Sequence, residues 1–155
     1  MTTNPADSQT LKRLIALERD AGKANDAINL LNKYLENNQQ DMEAWFELTD
    51  IYLARQNYEK AQFCYEELLT NQPNNYLINL KYAEILYSLS STDNLDNLLL
   101  ARKYYSHALT LVEESHNKNT RALWGLLQTC KAIESQSKKE DEKNKEIIRV
   151  CQQKI

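Results

Sequence analysis

The chain has 155 residues, enough for one domain with a sizeable core, and only two glycines and two prolines with which to build tight turns. Leu, Glu, Lys, Ala and Gln are abundant and favour helices, so the composition predicts an all-α protein. A net charge of −3, with 19 basic and 22 acidic residues interspersed, excludes the basic field that binds nucleic acid.

The first predicted element is a helix pair over residues 8–40, with Gly22 at the turn between its helices. Apolar residues recur every three or four positions in both helices, which places them on one face of a 3.6-residue turn. They are Leu11, Leu14 and Ile15 in the first helix and Ala27, Leu31 and Tyr34 in the second.

The second pair, over residues 41–74, has the same spacing in a more specific form. Asp41 and Asn57 are expected to cap its two helices, because their side-chain oxygens can accept hydrogen bonds from free backbone N–H groups. The first helix reads Trp-x2-Leu-x3-Tyr, the second reads Ala-x3-aromatic, and a proline follows, which is the tetratricopeptide-repeat pattern. The residues at these positions are Trp45, Leu48, Tyr52, Ala61, Tyr65 and Pro73.

A regular period supports the repeat, and it equals the length of one tetratricopeptide unit, about 34 residues. Ala27 and Ala61 are one such period apart, and Leu31 and Tyr65 share that interval. The two prolines, Pro5 and Pro73, are separated by two periods. Each repeat is expected to be two antiparallel helices that approach closely at the small alanine.

Two further pairs are predicted over residues 75–115 and 119–155. The interval from Ala61 to Ala101 exceeds one period by about six residues, so the third pair is expected to carry a longer loop at residues 88–94. In the fourth pair, residues 135–146 are predicted to be a charged linker or helix start. A weaker apolar stripe follows, made of Ile147, Ile148, Cys151 and Ile155.

The predicted fold is therefore an all-α tetratricopeptide-repeat solenoid, a single domain over residues 1–155 in which antiparallel helix pairs form a right-handed superhelix. Pro5 takes the position that ends a repeat, although no helices precede it. We therefore expect a fragment of a longer solenoid, whose first helix exposes one apolar flank.

Motifs for chemistry are not found. Two separated glycines cannot build a GxGxxG turn or a phosphate-binding loop, and His107 and His116 are too far apart for one helix face to present both to a metal. Cys64 and Cys130 fall on apolar faces, where small buried thiols are common, and there is no CxxC pair. The sequence predicts no catalytic residue, no metal, no cofactor and no small-molecule substrate.

The sequence also predicts a reduced, cytosolic protein. No apolar run approaches the roughly 18–20 residues that cross a bilayer, and the N-terminus lacks the order of a signal peptide.

The remaining candidate for function is the surface. Stacked helix pairs line a concave side with their first helices, which favours a groove for a peptide or helix of a partner protein. Phe46, Tyr87 and Trp124 occupy related positions at which packing inside the repeats does not require an aromatic side chain. Exposed aromatic side chains in a row are typical of protein-binding surfaces, although any one of these could instead pack between repeats. The groove candidates are Lys12, Arg19, Phe46, Asp50, Leu53, Leu80, Glu84, Tyr87, Trp124, Gln128 and Lys131.

Several short stretches carry a more specific likeness, over about residues 10–133. They are Glu43-Ala44-Trp45, Lys60-Ala61, Phe63-Cys64, Glu66-Glu67-Leu68 and Arg121-Ala122-Leu123. In these stretches the chain resembles the family of subunit 2 of the endoplasmic reticulum membrane protein complex. The resemblance implies a non-catalytic scaffold at the cytosolic face of the endoplasmic reticulum, without a membrane span of its own. Its partners would be protein subunits of a membrane-bound complex that inserts transmembrane helices.

Two other classes of function stay open at this point. A free-standing adaptor would bind a short peptide in the groove, and its affinity would depend on Phe46 or Trp124. A small catalytic subunit would depend on His107 or Cys64.

Overall fold

The computed structural model describes residues 5–90, 95–113, 119–137 and 141–155. Within these ranges the chain forms eight α-helices and no β-strand, which confirms the predicted all-α class. The helices are α1 (Pro5–Asp20), α2 (Ala24–Asn37), α3 (Met42–Ala54), α4 (Tyr58–Asn71), α5 (Tyr76–Leu89), α6 (Leu95–Glu113), α7 (Thr120–Gln136) and α8 (Glu142–Lys154).

The chain divides into two compact units. Unit 1 comprises residues 1–64, with α1, α2, α3 and the first half of α4. Unit 2 comprises residues 65–155, with the second half of α4 and the four helices that follow. The dividing line therefore runs through a helix and does not coincide with a turn.

The core of unit 1 is built at the repeat positions. Ala27 and Ala61, one period apart, are both fully buried, as are Leu31 and Leu48. Their burial follows from the close approach of helices that a small side chain permits. Trp45 packs edge-on against the Phe63 ring, with 6.2 Å between ring centroids. The Trp45 indole N–H also donates to the Gln39 carbonyl at 2.8 Å.

The buried face of α1 is narrower than predicted. Ile15 is fully buried, but Leu11 is only half-buried and Leu14 is exposed, so Leu14 does not belong to the inner face. Leu17 is also exposed, at 65%, so α1 presents an apolar flank to solvent. The helix begins at Pro5, before the predicted start at residue 8. Proline is suited to the first helical position, because a backbone N–H there would have no partner within the helix.

Two turns of unit 1 adopt the same conformation one period apart. Gly22 (φ +75°) follows α1 and Gln56 (φ +56°) follows α3, both in the left-handed region. At the first turn, the Lys23 N–H donates to the Glu18 carbonyl at 2.9 Å. At the second, the Asn57 N–H donates to the Tyr52 carbonyl at 2.9 Å. These bonds across five residues define the Schellman termination of a helix.

Both predicted caps are present. Asp41 accepts a hydrogen bond from the Ala44 N–H at 3.2 Å, and Asn57 accepts one from the Lys60 N–H at 3.3 Å. Each satisfies a donor at a helix start that has no partner within the helix. The positions of α3 and α4 thus follow from local side-chain chemistry.

Unit 2 is built around α6, which packs against both α5 and α7. Ile78, Ala83 and Leu86 of α5 and Leu98 and Ala101 of α6 are fully buried. The predicted loop at residues 88–94 is shorter than expected at its start, because α5 continues to Leu89. Residues 91–94 of that prediction lie outside the described residues.

A close approach between α6 and α7 depends on Gly125. A β-carbon at this position would overlap Cε1 of the Tyr105 ring. The Tyr105 ring, itself buried, therefore occupies the space that the missing side chain leaves. Glycine at this point of α7 is a packing requirement of unit 2.

The last helix is held by polar contacts that the apolar pattern did not reveal. Arg102 donates to the Asp141 carboxylate at 2.7 Å and to Asn144 Oδ1 at 3.1 Å, and Asn144 Nδ2 donates to the Cys130 carbonyl at 2.8 Å. Asn144 is fully buried. The apolar stripe predicted for α8 is only partly buried: Cys151 lies inside, but Ile155 is exposed. Residues 138–140 of the predicted linker lie outside the described part of the chain.

Candidate protein-binding surface

In unit 1, ion pairs join the first helices of the two repeats, α1 and α3. Lys12 Nζ lies 2.6 Å from the Asp41 carboxylate, at the start of α3. About two turns further along, Arg19 Nη1 lies 2.7 Å from Glu47 Oε1. Both pairs lie at the surface and link α1 to α3 through their side chains.

A cleft of about 560 Å³ opens beside these ion pairs, and we name it the α1–α3 cleft. Three predicted groove residues, Arg19, Phe46 and Asp50, line it together. Lys12 and Leu53 were also predicted but do not line it. Its full lining is Arg19, Glu43, Phe46, Glu47, Asp50, Ile51 and Ala54.

Four lining residues were not predicted from sequence: Glu43, Glu47 and Ala54, which lie in a second helical row, and Ile51, which is buried. Phe46, Asp50 and Leu53 form one row on α3, whereas Glu43, Glu47, Asp50 and Ala54 form the adjacent row, also spaced by three or four residues. Both rows face the same side of the helix, and the cleft takes most of its lining from the second row. That second row could have been found from the same periodicity.

The α1–α3 cleft is apolar at its floor and acidic at its rim. Phe46 is half-buried and Ile51 is buried, so their side chains form the floor. Three carboxylates face one guanidinium among the lining residues, and that guanidinium is paired with Glu47. The side chain of Glu43 is 93% exposed. The rim therefore presents negative charge to any partner.

Lys12 is engaged within unit 1. Its Nζ lies 5.4 Å from the centroid of the Tyr34 ring as well as beside Asp41. The hydrogen bond to Asp41 raises the pKa of Lys12 above its ordinary value, although partial burial opposes this. Tyr34 donates to the same carboxylate at 2.7 Å, so this lysine belongs to an internal network.

In unit 2, an arginine pairs with the predicted groove residue Glu84. Arg121 on α7 donates to both carboxylate oxygens of Glu84 on α5, at 2.5 Å and 2.9 Å. Lys81 Nζ lies 3.5 Å from the same carboxylate. The two-point geometry fixes α5 against α7. Arg121 was not a groove candidate, because its role depends on a partner 37 residues away.

One predicted groove residue must be corrected. Leu80 is 2% exposed, so its side chain is not available to a ligand. The reason is that α5 is buried on more than one side, since Ile78, Leu80 and Ile85 all lie inside. The predicted position of Leu80 on the groove side assumed a helix with one covered face.

The aromatic candidates of unit 2 lie at the surface. Tyr87 on α5 is 37% exposed and Trp124 on α7 is 49% exposed. Gln128 and Lys131 are exposed on the same face of α7 as Trp124, since they follow it by four and seven residues. This face of α7 is therefore open to solvent and carries an indole ring, which is typical of binding surfaces.

Among the cysteines, Cys130 and Cys151 are shifted away from reactivity. Burial raises the pKa of the Cys130 thiol to about 12 and also raises that of Cys151, which is opposite to the shift that makes a nucleophile. His107 lies in a shallow cleft of unit 2 with Lys103 and Tyr104. No metal-binding cluster of His, Cys, Asp or Glu occurs among the described residues. His116 lies outside them.

None of the helices in the described ranges combines the length and the apolar character that crossing a bilayer requires.

Comparison with protein families gives a match over residues 1–112, to the EMC2 TPR-like repeat domain. ER membrane protein complex subunit 2-A of Xenopus laevis is 39% identical over 135 residues, which are 87% of this chain and 43% of that protein. The corresponding subunit of Dictyostelium discoideum is 39% identical over 107 residues, 69% of this chain and 32% of that protein. This chain thus spans less than half the length of the curated relatives that it matches.

Solved structures share the fold at low sequence identity. MamA, in the form MSR-1 C2, aligns with a TM-score of 0.64 at 15% identity, over 99% of this chain and 80% of that one. PcrH, solved with the chaperone-binding region of PopD, aligns with a TM-score of 0.54 at 16% identity, over 86% of this chain and 92% of that one. At this identity the likeness establishes the architecture alone.

Proposed function

Because the chain belongs to the family of EMC2 TPR-like repeat domains, we propose that it is a non-catalytic scaffold that binds other proteins. In its finer form, the proposal is that it stands on the cytosolic side of the endoplasmic reticulum membrane protein complex. There it would organise the subunits that insert transmembrane helices into the bilayer. The observation that carries the proposal is the 39% identity to curated subunit 2 proteins over 135 residues.

The surface chemistry of the two units supports a role in protein binding. Unit 1 offers the α1–α3 cleft with its apolar floor, and unit 2 offers Tyr87 and Trp124 on exposed helical faces. Subunit interfaces that persist commonly bury upwards of ~2,000 Å² and are enriched in aromatic side chains. Helices that display such side chains at regular intervals can supply that area.

The test is co-purification of the full natural chain, tagged at one end, from detergent-solubilised membranes. We expect it to bring down membrane-embedded subunits, identified by mass spectrometry. The double variant Tyr87→Ala/Trp124→Ala should weaken that recovery, because interface aromatics supply much of the binding energy. Leu100→Ala is the matched control, since Leu100 is similarly exposed but lies on α6. Recovery of the tagged chain only as a free monomer would contradict the proposal.

A second candidate function, a free-standing adaptor, is favoured by one observation. The α1–α3 cleft is complete within residues 19–54, so it could hold a peptide without help from other subunits. A peptide titration of wild type against Phe46→Ala tests this function. Binding that depends on Phe46, in a chain that never co-purifies with membrane proteins, would replace the scaffold with the adaptor.

A further inference from the structure

The acidic rim of the α1–α3 cleft is not compensated from within the molecule. Arg19 is paired with Glu47, and Lys12 is paired with Asp41. Glu43 has only Lys12 nearby, at 3.9 Å, and Asp50 has no ion-pair partner in the described part of the chain. Two carboxylates therefore remain available to a cation from outside.

The wider charge distribution has the same sign. Residues 1–64 carry 10 acidic and 7 basic side chains, a formal charge of −3, whereas residues 65–155 carry 12 of each. The whole net charge of the chain thus resides in unit 1. A cleft in an acidic unit attracts positively charged partners and repels anionic lipids and nucleic acids.

The spacing of these carboxylates fits a helical ligand. Glu43 and Asp50 are seven residues apart on α3, and at 1.5 Å per residue they are separated by about 10.5 Å along its axis. Phe46 lies between them and forms part of the cleft floor. A partner helix that lies along α3 would match this spacing if it carried basic residues seven positions apart, opposite the two carboxylates, and apolar residues between them, opposite Phe46.

We propose that the α1–α3 cleft binds a basic amphipathic helix of a partner protein. Apolar side chains of that helix pack on Phe46 and Ile51, and its Lys or Arg residues pair with Glu43 and Asp50. This assignment rests on the proposed protein-binding function and adds the chemistry of the partner to it. Because the rim is solvent-exposed, charge sets specificity and the rate of encounter, while the floor supplies most of the affinity.

The experiment uses the intact chain and three synthetic peptides, followed by fluorescence anisotropy. The first combines Leu with Lys at positions i and i+7, the second replaces each Lys by Glu, and the third replaces each Leu by Ser. We expect the Leu/Lys peptide to bind, the Leu/Glu peptide not to bind, and the Ser/Lys peptide to bind at least about tenfold more weakly. Equal binding of the Leu/Lys and Leu/Glu peptides would overturn the proposal.

Variants locate the binding. Glu43→Lys/Asp50→Lys should lower the affinity for the Leu/Lys peptide at least about tenfold and allow the Leu/Glu peptide to bind. Asp26→Lys/Glu36→Lys is the matched control, since it makes the same change in net charge with exposed residues of α2. An equal loss in both variants would show attraction to overall charge and would overturn the cleft as the site. Glu43→Gln/Asp50→Asn gives a milder second test if circular dichroism shows that the first variant unfolds.

The two proposals fail separately. If the intact chain co-purifies with membrane subunits but ignores the Leu/Lys peptide, the scaffold stands and the partner chemistry is wrong. If the peptide binds as expected while the tagged chain is recovered alone, the cleft assignment stands and the scaffold is wrong.

Discussion

Gly22 and Gln56 occupy equivalent turns one repeat period apart, and both have a positive φ. Only Gly22, which lacks a β-carbon, is suited to that conformation. A positive φ costs a residue with a β-carbon roughly 1–2 kcal/mol, whereas glycine adopts it freely. Unit 1 therefore stores strain at its second turn that it avoids at its first. This contrast allows the same position to be tested in both directions.

We expect Gly22→Ala to destabilise the protein by about 1 kcal/mol and Gln56→Gly to stabilise it by somewhat less, since glycine also loosens the unfolded chain. No atom would contact a β-carbon at position 22, so the loss there is conformational alone. Urea unfolding followed by circular dichroism measures both changes. Destabilisation by Gln56→Gly would mean that Gln56 has a role beyond the turn.

Gly125 tests a different property, the close packing of α6 on α7. We expect Gly125→Ala to cost about 2 kcal/mol, because the new methyl group would displace the buried Tyr105 ring. The same change in a Tyr105→Leu background should cost much less, and a double-mutant cycle isolates the difference. Equal costs in the two backgrounds would place the effect of Gly125 in the backbone of α7.

The three thiols should resist modification while the protein is folded. Cys64, Cys130 and Cys151 are buried, and only the thiolate reacts with a reagent such as a maleimide. With the pKa of Cys130 raised to about 12 by burial, we expect slow labelling at pH 8 in buffer and complete labelling in urea. Rapid labelling of the native protein at Cys64 would revive the catalytic alternative.

Among the elements, α3 begins at a cap that also carries an ion pair, since Asp41 accepts from the Ala44 N–H and lies beside Lys12. Burial disfavours the charged form of Asp41, but hydrogen bonds from Lys12, Tyr34 and the Ala44 N–H outweigh it, and they hold its pKa below the usual value. A lowered pKa in the folded state means that the ionised carboxylate stabilises the fold. That contribution is complete above the ordinary pKa, near 4, and is lost as the pH falls through the lowered one.

We therefore expect Asp41→Asn to cost about 1 kcal/mol at pH 7, because asparagine keeps the cap but loses the ion pair with Lys12. The variant should also lose less stability than wild type when the pH falls from about 5 to about 3. Denaturation curves across this range give both quantities. Glu43→Gln is the control, since an exposed carboxylate 3.9 Å from Lys12 contributes little. A variant that is as acid-sensitive as wild type would exclude Asp41 as the titrating group.

The helices could be predicted from sequence where local signals coincide, and not where partners are distant. Asp41 and Asn57 were predicted as caps because side-chain type and apolar spacing agree at both places. Burial of Leu80 could not be predicted, since a stripe of apolar residues does not reveal how many neighbours a helix has. The contacts that Asn144 makes with α6 and α7 were missed because a buried asparagine has the sequence signature of a solvated one.

At the scale of the whole molecule, the tetratricopeptide class and the family were predicted and are confirmed. Three independent features of the sequence predict this repeat: the period of about 34 residues, the alanines at the packing position and the Trp-Leu-Tyr spacing. The binding residues were harder to predict. Arg19, Phe46 and Asp50 do meet in one cleft. Lys12 and Glu84, however, already have ion-pair partners, and such pairing can be seen only in the three-dimensional structure. The groove assignment itself stays a prediction.

The division between the units predicts how fragments behave. A piece covering residues 65–155 keeps only seven residues of α4, too few to form a helix by themselves, although Tyr65 and Leu68 must be helical to reach their buried positions. A piece covering residues 57–155 keeps α4 whole, and we expect it to be more helical per residue and to unfold at higher urea. Equal stability of the two pieces would show that the first half of α4 is dispensable.

The boundary between the two units, inside α4, also restricts where the gene of a repeat protein like this one can gain residues or recombine. A junction at residues 55–57 joins two helices at a turn, where an added residue changes only the loop. A junction between Cys64 and Tyr65 would lie inside a continuous helix, and one inserted residue would rotate everything beyond it by about 100° around the axis. Breakpoints at the turns are therefore compatible with duplication in steps of one repeat, whereas a breakpoint at the boundary between the units must preserve the phase of α4.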